Sequence, residues 1–137
     1  MKEKFIRLLS TDNIEMPGFI NYPENKTDKI VIHIHGRSGG NFTEEYIKYL
    51  VEAYDELGYA FLTFNNRGAG FFTEFLKHEN NQVVSFVGGC TNELFKESIY
   101  DIEGAINWAK EQGFNEIILS GHSYGCHKVV AIIITNH

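Results

Sequence analysis

Five residues near the end of the chain have the types and the spacing that nucleophilic catalysis needs. They follow the pattern Gly-x-Ser-x-Gly and are Gly121, His122, Ser123, Tyr124 and Gly125. A serine hydroxyl is a weak nucleophile until a neighbouring base takes its proton. The turn must also hold the hydroxyl clear of the backbone, and the two glycines leave room for this where a strand and a helix crowd together. The pattern therefore predicts that Ser123 is a nucleophile.

The segments on either side of this pattern make it more specific. Glycine and serine are common residues, so the five-residue match is a weak signal by itself. Here the apolar residues 117–119 (IIL) precede it as a predicted strand, and residues 126–135 follow it as a predicted helix. The N–H group of Tyr124 would then lie at a helix N-terminus, where it can stabilise an oxyanion. The alternative interpretation is an ordinary glycine-rich turn between a strand and a helix.

Two further glycine-rich segments follow predicted strands. Residues 29–35 (KIVIHIH) are β-branched and almost continuously apolar, which is typical of a strand buried on both faces. The glycine-rich residues 36–41 interrupt that strand. The later segment 66–70 (NRGAG) ends another predicted strand, and its plainest role is structural, because Gly68 and Gly70 can adopt positive φ.

The remaining periodicities predict an α/β chain. Two short apolar-rich runs, 4–10 and 15–21, predict an antiparallel hairpin. Strands and helices then alternate, which predicts a parallel sheet with helices on both faces. Thr43 is predicted to cap the first helix. The strongest helix pattern covers 92–112, and its predicted apolar face consists of Phe95, Ile99, Ile102, Ile106 and Ala109.

Residues 71–91 have no clear period and are predicted to form a long loop, with a short helix as an alternative at 73–78. A loop of this length in a compact domain usually has a binding or lid role, or is mobile. Its phenylalanines suit a loop that lies over a pocket, and they suggest an apolar acyl group or an aromatic group in the substrate. They are Phe71, Phe72, Phe75 and Phe86.

Three of these segments together resemble a known family. Residues 35–40 (HGRSGG), 66–70 (NRGAG) and 121–125 (GHSYG) resemble the first half of an α/β-hydrolase of the serine esterase, lipase and peptidase group. The resemblance implies a three-layer α/β sandwich with a mostly parallel sheet and an N-terminal antiparallel hairpin. Residues 1–137 would form one partial domain of this fold. The stretch 121–130 is most similar to a branch that includes fungal siderophore-type esterases.

The resemblance also implies roles for residues beside the first glycine-rich loop. The backbone N–H of Arg37 would be the second oxyanion donor, next to Gly36, and the side chain of His35 would orient the loop. The alternative is that His33 and His35 are only alternate positions of one strand. The Arg37 side chain is expected to point outward, with recognition of a substrate carboxylate as the alternative.

The chain does not contain a convincing acid and histidine for a catalytic triad. In this family both follow the nucleophile along the chain. The residues after Gly125 contain no Asp or Glu, and their two histidines are His127, on the nucleophile's own helix, and the terminal His137. We therefore expect a truncated hydrolase whose acid and histidine lie on segments that this chain lacks. The strand ending at Ser120 would then be an exposed sheet edge, apolar on both faces and able to pair with another chain.

Composition limits the other possibilities. The 137 residues predict one domain, and 43% hydrophobic residues are enough for a packed core. A net charge of −6 argues against nucleic-acid binding. The charged N-terminus and the absence of a run of roughly 20 apolar residues predict a cytoplasmic protein with no membrane span. Cys90 and Cys126 are predicted to be reduced thiols, with Cys126 a buried packing residue, and no metal or organic cofactor is implied.

Three functions compete at this point. The first is a serine hydrolase that cleaves ester, thioester or amide bonds of a small-molecule acyl substrate through an acyl-enzyme on Ser123. The second is a catalytically inactive fragment, inert or binding a partner or a second copy through the exposed sheet edge. The third is a nucleotide-binding α/β domain. It is disfavoured because residues 36–40 lack the Gly-x-Gly-x-x-Gly spacing and the chain has no Gly-Lys-Ser/Thr phosphate loop.

Overall fold

The computed structural model describes residues 1–40 and 44–135. Thr43, the predicted helix cap, and the terminal His137 lie outside the described residues. In chain order the elements are β1 Lys2–Leu9, β2 Glu15–Tyr22, β3 Lys29–Ile34, α1 Tyr46–Glu56, β4 Ala60–Phe64, β5 Thr73–Glu79, β6 Gln82–Gly88, a 3₁₀ turn Phe95–Glu97, α2 Ser98–Glu111, β7 Glu116–Gly121 and α3 Tyr124–Thr135.

Five of these strands form one mixed sheet, in the order β1-β2-β4-β3-β7. β1 and β2 form the predicted antiparallel hairpin, paired from Lys2 opposite Tyr22 to Leu9 opposite Glu15. β2 also pairs antiparallel with β4, whereas β4, β3 and β7 are parallel neighbours. In the described part of the chain β2 therefore runs opposite to the other four strands of this sheet.

Helices pack on both faces of the sheet. The central strands β3 and β4 are buried on both faces, because successive side chains of a strand point to opposite sides. On one side Ile30 and Ile32 join a core cluster with Ile102 of α2 and Ile132 of α3. On the other side the cluster contains Val31, Phe61 of β4 and Ile47 of α1. This arrangement places the carboxyl ends of β3, β4 and β7 at one edge of the fold.

Strand β7 lies at the end of the sheet and, among the described strands, pairs with β3 alone. Ile117 and Leu119 pack against one core cluster and Ile118 against the other, so the strand is apolar on both faces, as predicted. The three side chains are only half-buried. Helix α3, which follows, also leaves apolar side chains exposed, namely Val130, Ile133 and Ile134.

The prediction of a loop or short helix within residues 71–91 is wrong, because this segment forms the β5–β6 hairpin. Asn80 and Asn81 have φ values of 50° and 62°, which is the conformation of a two-residue turn between twisted strands. The sequence pattern was uninformative because the turn is Asn-Asn instead of Asn-Gly and because β5 is mostly polar. Phe71 and Phe72, just before the hairpin, are 68% and 73% exposed.

The predicted helix 92–112 begins later than expected. Leu94 is extended, a 3₁₀ turn follows, and α2 starts at Ser98. The helix ends before Gly113, whose φ of 94° confirms its predicted terminating role. Phe95, predicted on the apolar face of this helix, lies instead in the 3₁₀ turn before α2 and is 39% exposed.

A buried arginine connects three parts of the fold. Arg67, directly after β4, is 1% exposed and donates hydrogen bonds from Nε and Nη2 to Asp101 Oδ1 at 2.9 and 2.8 Å. Nη1 and Nη2 donate to the two carboxylate oxygens of Asp12 at 3.1 and 2.6 Å. Burial opposes the charge, but these carboxylates outweigh it and raise the pKa of Arg67 above its ordinary value. The guanidinium therefore joins the β1–β2 turn, the end of β4 and helix α2.

Replacing this arginine is expected to destabilise the fold strongly. Arg67→Met removes the cation that is hydrogen-bonded to Asp101, a side chain that is 1% exposed, and breaking a buried ion pair costs about 3–5 kcal/mol. Urea unfolding monitored by circular dichroism measures the loss. Arg7→Met, at an exposed position of β1, serves as the control and should change the free energy of unfolding by less than about 0.5 kcal/mol. Equal unfolding free energies for the two variants would contradict a structural role for the cluster.

A buried histidine lies on β3 between two hydroxyl groups. His33 is 2% exposed, with Nδ1 at 2.9 Å from Ser120 Oγ of β7 and Nε2 at 3.0 Å from the Tyr46 hydroxyl of α1. Burial, with a smaller contribution from the charge of His122, lowers the pKa of His33 to about 4. The ring is therefore neutral near pH 7 and links β3 to both β7 and α1.

This histidine makes stability depend on pH in a defined window. The His33 ring has a pKa of about 6.5 in the unfolded chain. Below that pH the unfolded state therefore binds a proton that the folded state does not bind. Stability is full above about pH 6.5, and about 3 kcal/mol of it is lost as the pH falls towards the folded pKa of about 4. In His33→Gln the difference in unfolding free energy between pH 7 and pH 4 should shrink by that amount, measured by urea titration. In His127→Gln, at an exposed position, it should stay as in the parent. A pH dependence unchanged in His33→Gln would contradict the buried neutral ring.

Candidate active site

The Gly-x-Ser-x-Gly segment forms a sharp turn between β7 and α3. β7 ends at Gly121 and α3 begins at Tyr124, so only His122 and Ser123 lie between them. Ser123 has a φ of 53°, in the left-handed region that residues with side chains rarely adopt and that costs about 1–3 kcal/mol. Its side chain is exposed. The turn thus holds the hydroxyl outside both regular elements and open to solvent.

The two flanking glycines allow backbones to approach more closely than any side chain would permit. A Cβ atom on Gly125 would lie 2.2 Å from the carbonyl oxygen of Ile34 at the end of β3. A Cβ atom on Gly121 would lie 2.8 Å from the amide nitrogen of Cys126 in α3. Both approaches are below van der Waals contact, so the sharp turn depends on glycine at these two positions.

The first turn of α3 contains the backbone amide of Tyr124, which follows Ser123 directly in the chain. Gly125 N donates to His122 O and Cys126 N donates to Ser123 O, both at 2.9 Å. The amide of Tyr124 is the first of the helix, and the first N–H groups of a helix have no carbonyl partner within it. The helix dipole adds partial positive charge at this end. This amide is therefore suited to stabilising a negative oxygen near Ser123.

The glycine-rich loop after β3 lies directly against this turn. A Cβ atom on Gly36 would be 3.2 Å from the Cβ of Ser123 and 3.1 Å from the carbonyl oxygen of His122. Gly39 N donates to Gly36 O at 3.0 Å and closes a turn in which Arg37 and Ser38 are the central residues. The structure therefore brings Gly36 and Ser123 together, although 87 residues separate them in the chain.

The ring of His35 fixes the orientation of this loop. Nδ1 lies 2.8 Å from Gly36 O, and Asn66 N donates to Nε2 at 3.2 Å. An acceptor role for Nε2 requires the proton on Nδ1, which then donates to the Gly36 carbonyl. Burial lowers the pKa of His35 to about 4, so the ring is neutral near pH 7.

The Arg37 amide takes its direction from the same contact. In a planar trans peptide the N–H points opposite to the C=O, so a Gly36 carbonyl held by the ring directs the Arg37 N–H the other way. The Arg37 side chain is exposed. The loop therefore presents a backbone donor with fixed direction, while the charged side chain points to solvent.

The described residues do not place a catalytic base beside the serine. His122 packs against the Tyr46 ring at 4.7 Å between centroids, and the exposed His127 lies 6.1 Å from the Tyr124 ring. Within residues 1–40 and 44–135, the hydrogen bonds of histidine rings and carboxylates go to groups other than the Ser123 hydroxyl. Of the residues predicted for the site, the structure brings together the Ser123 turn and the loop that contains Gly36.

The prediction that Cys126 is a buried packing residue is wrong. Cys126 is exposed and not buried, because the outer side of α3 has no described element packed over it. Its thiol donates to the Gly121 carbonyl at 3.1 Å. Both cysteines are free thiols, as predicted.

Sequence reasoning missed a buried ion pair behind the site. Lys128 of α3 is 1% exposed, and its ammonium donates to Glu93 Oε2 at 2.7 Å and to Asn66 Oδ1 at 3.4 Å. A lysine in a helix ordinarily indicates a solvent-facing position, so no local pattern predicted that Lys128 is buried. The same ion pair explains why residue 68 is a glycine, because a Cβ atom there would lie 2.1 Å from Glu93 Oε2. Of the two glycines expected to have positive φ, only Gly70 does, at 66°.

Two further properties concern ligands and membranes. Within residues 1–40 and 44–135, no group of three or more His, Cys, Asp or Glu side chains is arranged to hold a metal ion. None of the helices in this part of the chain combines the length and the apolar character needed to cross a bilayer.

Comparison with known proteins gives structural relatives only. No protein-family model and no curated protein matches the chain. Est1E from Butyrivibrio proteoclasticus, solved with ferulic acid bound, is 22% identical over 94% of this chain and 47% of its own, with a TM-score of 0.71. The Pyrococcus furiosus esterase Pf2001 is 24% identical over 95% of this chain and 46% of its own, with a TM-score of 0.69.

A third structure extends the likeness beyond these two esterases. The α/β hydrolase GrgF from Penicillium is 14% identical over 96% of this chain and 41% of its own, with a TM-score of 0.73. The chain spans about half the length of the first two structures and somewhat less of the third. Almost all of this chain therefore has the α/β-hydrolase fold, and the solved structures similar to it include esterases.

Proposed function

We propose that this chain is the nucleophile-bearing part of a serine hydrolase that cleaves ester, thioester or amide bonds. The observation that carries the proposal is the position of Ser123, held at a φ of 53° between β7 and α3 and lying against Gly36. The esterases among the similar structures support it. The complete domain would be a three-layer sandwich with a mostly parallel sheet, of which residues 1–137 are one part.

The geometry supports a two-step acyl transfer. Ser123 Oγ attacks the carbonyl carbon of the substrate while its proton passes to a base, and the carbonyl oxygen becomes an oxyanion. The Tyr124 and Arg37 amides stabilise that oxyanion. Its collapse expels the leaving group, which takes up the proton from the base, and water then releases the acyl group by the same route. We assign the base and its partner acid to a segment outside this chain.

The exposed phenylalanines near the site suggest the substrate class. Phe71 and Phe72 follow Gly70. The amide of Gly70 donates to the carbonyl of Gly39, in the glycine-rich loop after β3, at 3.1 Å. This hydrogen bond places the backbone just before the two exposed phenylalanines beside that loop. We infer an acyl group that is apolar or aromatic, and the aromatic ferulic acid bound to Est1E is of this class. The likeness to siderophore-type esterases and the cytoplasmic location remain predictions.

A fluorophosphonate probe tests the nucleophile. It reacts with activated serines, so the longest product of the gene that contains this chain should become labelled, and Ser123→Ala should abolish labelling. Ser85→Ala, at an exposed position of β6, is the matched control and should label like the parent. The 137-residue chain should label at least about 100-fold more slowly than a longer product, because it lacks the base. Labelling that persists in Ser123→Ala would refute the proposal.

The second candidate function is binding through the exposed sheet edge, without catalysis. The observation that favours it is the combination of the half-paired strand β7 with an open, apolar groove of about 400 Å³ on the outer side of α3. Strand edges of this kind are templates for pairing with another strand. The groove is lined by Phe95, Cys126, His127, Val130, Ala131 and Ile134.

Self-association of the isolated chain tests this second function. We expect the 137-residue chain to form dimers or larger species through β7, measured by size-exclusion chromatography with light scattering. Ile118→Lys should return it to a monomer, because a charge on an edge strand blocks pairing. Val83→Lys, at an exposed position on the separate β5–β6 hairpin, should leave the association unchanged. A parent chain that stays monomeric at its highest soluble concentration would exclude this function for the isolated chain.

A further inference from the structure

A chain of buried polar contacts runs from helix α3 to the glycine-rich loop. The ammonium of Lys128 donates to Asn66 Oδ1 at 3.4 Å, and the backbone amide of Asn66 donates to His35 Nε2 at 3.2 Å. The other nitrogen of that ring donates to Gly36 O at 2.8 Å. Lys128, Asn66 and His35 are all buried. The chain therefore connects the helix that begins at Tyr124 to the peptide that carries the Arg37 amide.

Glu93 holds the lysine in this chain from the other side. Its carboxylate accepts from Lys128 at 2.7 Å and lies against Gly68, which leaves room for it by having no side chain. The Glu93 side chain is 4% exposed, and its Oε1 has no hydrogen-bond partner among the described residues. Burying such a pair costs desolvation of both charges and rarely adds net stability. Stability alone is therefore a poor explanation for it.

The position of the pair indicates a different role. Lys128 follows Tyr124 by four residues, which is one turn of α3, and its ammonium lies 5.2 Å from the centre of the Tyr124 ring. At the other end of the chain of contacts, His35 fixes the direction of the Gly36–Arg37 peptide. Lys128 thus lies on the helix that carries one backbone donor and is linked through Asn66 and His35 to the peptide that carries the other.

We propose that Lys128 is a positioning residue that sets the spacing of the Tyr124 and Arg37 amides through Asn66 and His35. This inference rests on the proposed function, because the two amides matter as a pair only if they stabilise an oxyanion. Oxyanion stabilisation depends on donors that are already in place before reaction. A rigid buried link between the two donors supplies that preorganisation.

Two variants separate positioning from stability. Lys128→Met alone leaves Glu93 buried without its cation and can unfold the chain. Replacing both partners, in Lys128→Met with Glu93→Met, removes both buried charges at similar volume and should restore the unfolding midpoint to near that of the parent. The double variant still lacks the contact with Asn66. Lys29→Met removes an exposed pair with Glu116 at 4.0 Å and a cation–π contact with the Tyr59 ring, both away from the loop, and is the matched control.

Amide hydrogen exchange measured by NMR on the 137-residue chain is the decisive readout. The Asn66 amide, bonded to His35, and the Gly39 amide, bonded to Gly36, report on the loop. In the double variant we expect both to exchange at least tenfold faster than in the parent, while amides of the central strand β4 keep the parent rate. Lys29→Met should match the parent at every one of these positions. Parent-like exchange of Asn66 and Gly39 in a stable double variant would overturn the proposal.

Labelling kinetics separate this inference from the proposed function. If Ser123 reacts with a fluorophosphonate, the double variant should label at least tenfold more slowly at saturating probe, with the half-saturating probe concentration unchanged. A change confined to the half-saturating concentration would contradict positioning. If Ser123 does not react in the parent, the proposed function fails, and the exchange of Asn66 and Gly39 still decides whether Lys128 positions the loop.

Discussion

The contact between the start of α3 and the end of β3 is the constraint on which the candidate site depends. A side chain on Gly125 would overlap the carbonyl oxygen of Ile34, so the helix can approach the strand only with glycine there. This approach brings the turn at Ser123 against Gly36, the second residue after β3 ends at Ile34. The close pairing of a strained serine with a glycine-rich loop is a consequence of that single backbone contact.

Polar groups concentrate at the carboxyl ends of the parallel strands, and the fold stabilises them there in two ways. Two neutral histidines lie at the carboxyl end of β3, where burial lowers the pKa of His33 and His35 to about 4. Charged side chains behind them are paired, Arg67 with two aspartates and Lys128 with Glu93. Ligands of open α/β sheets bind outside the carboxyl ends of the strands, so this edge is where a substrate is expected.

Apolar side chains remain half-buried on β7 and exposed on α3, the two elements that flank the Ser123 turn in the chain. The catalytic proposal assigns the base for Ser123 to a segment outside this chain, and the binding proposal assigns the edge of β7 to a partner strand. Both proposals therefore require a further segment, from the same protein or from another copy.

Much of the fold and of the candidate site could be predicted locally. The β1–β2 hairpin, the doubly buried β3, helix α2 up to Gly113 and the turn at residues 121–125 each follow from a short pattern of apolar residues and glycines. Errors arose where the local signal was weak. The β5–β6 hairpin has a mostly polar first strand and an Asn-Asn turn, and Cys126 is exposed because nothing described covers its side of α3.

The sequence by itself determined the strand-turn-helix around Ser123 and the α/β class, because glycine positions and apolar periodicity act over a few residues. Only the tertiary structure decided that Gly36 touches that turn, that His35 is held by Asn66, and that Lys128 is buried against Glu93. These contacts join residues between 31 and 87 positions apart. Burial and charge pairing at such separations depend on the packing of the whole sheet, which no short window of the sequence contains.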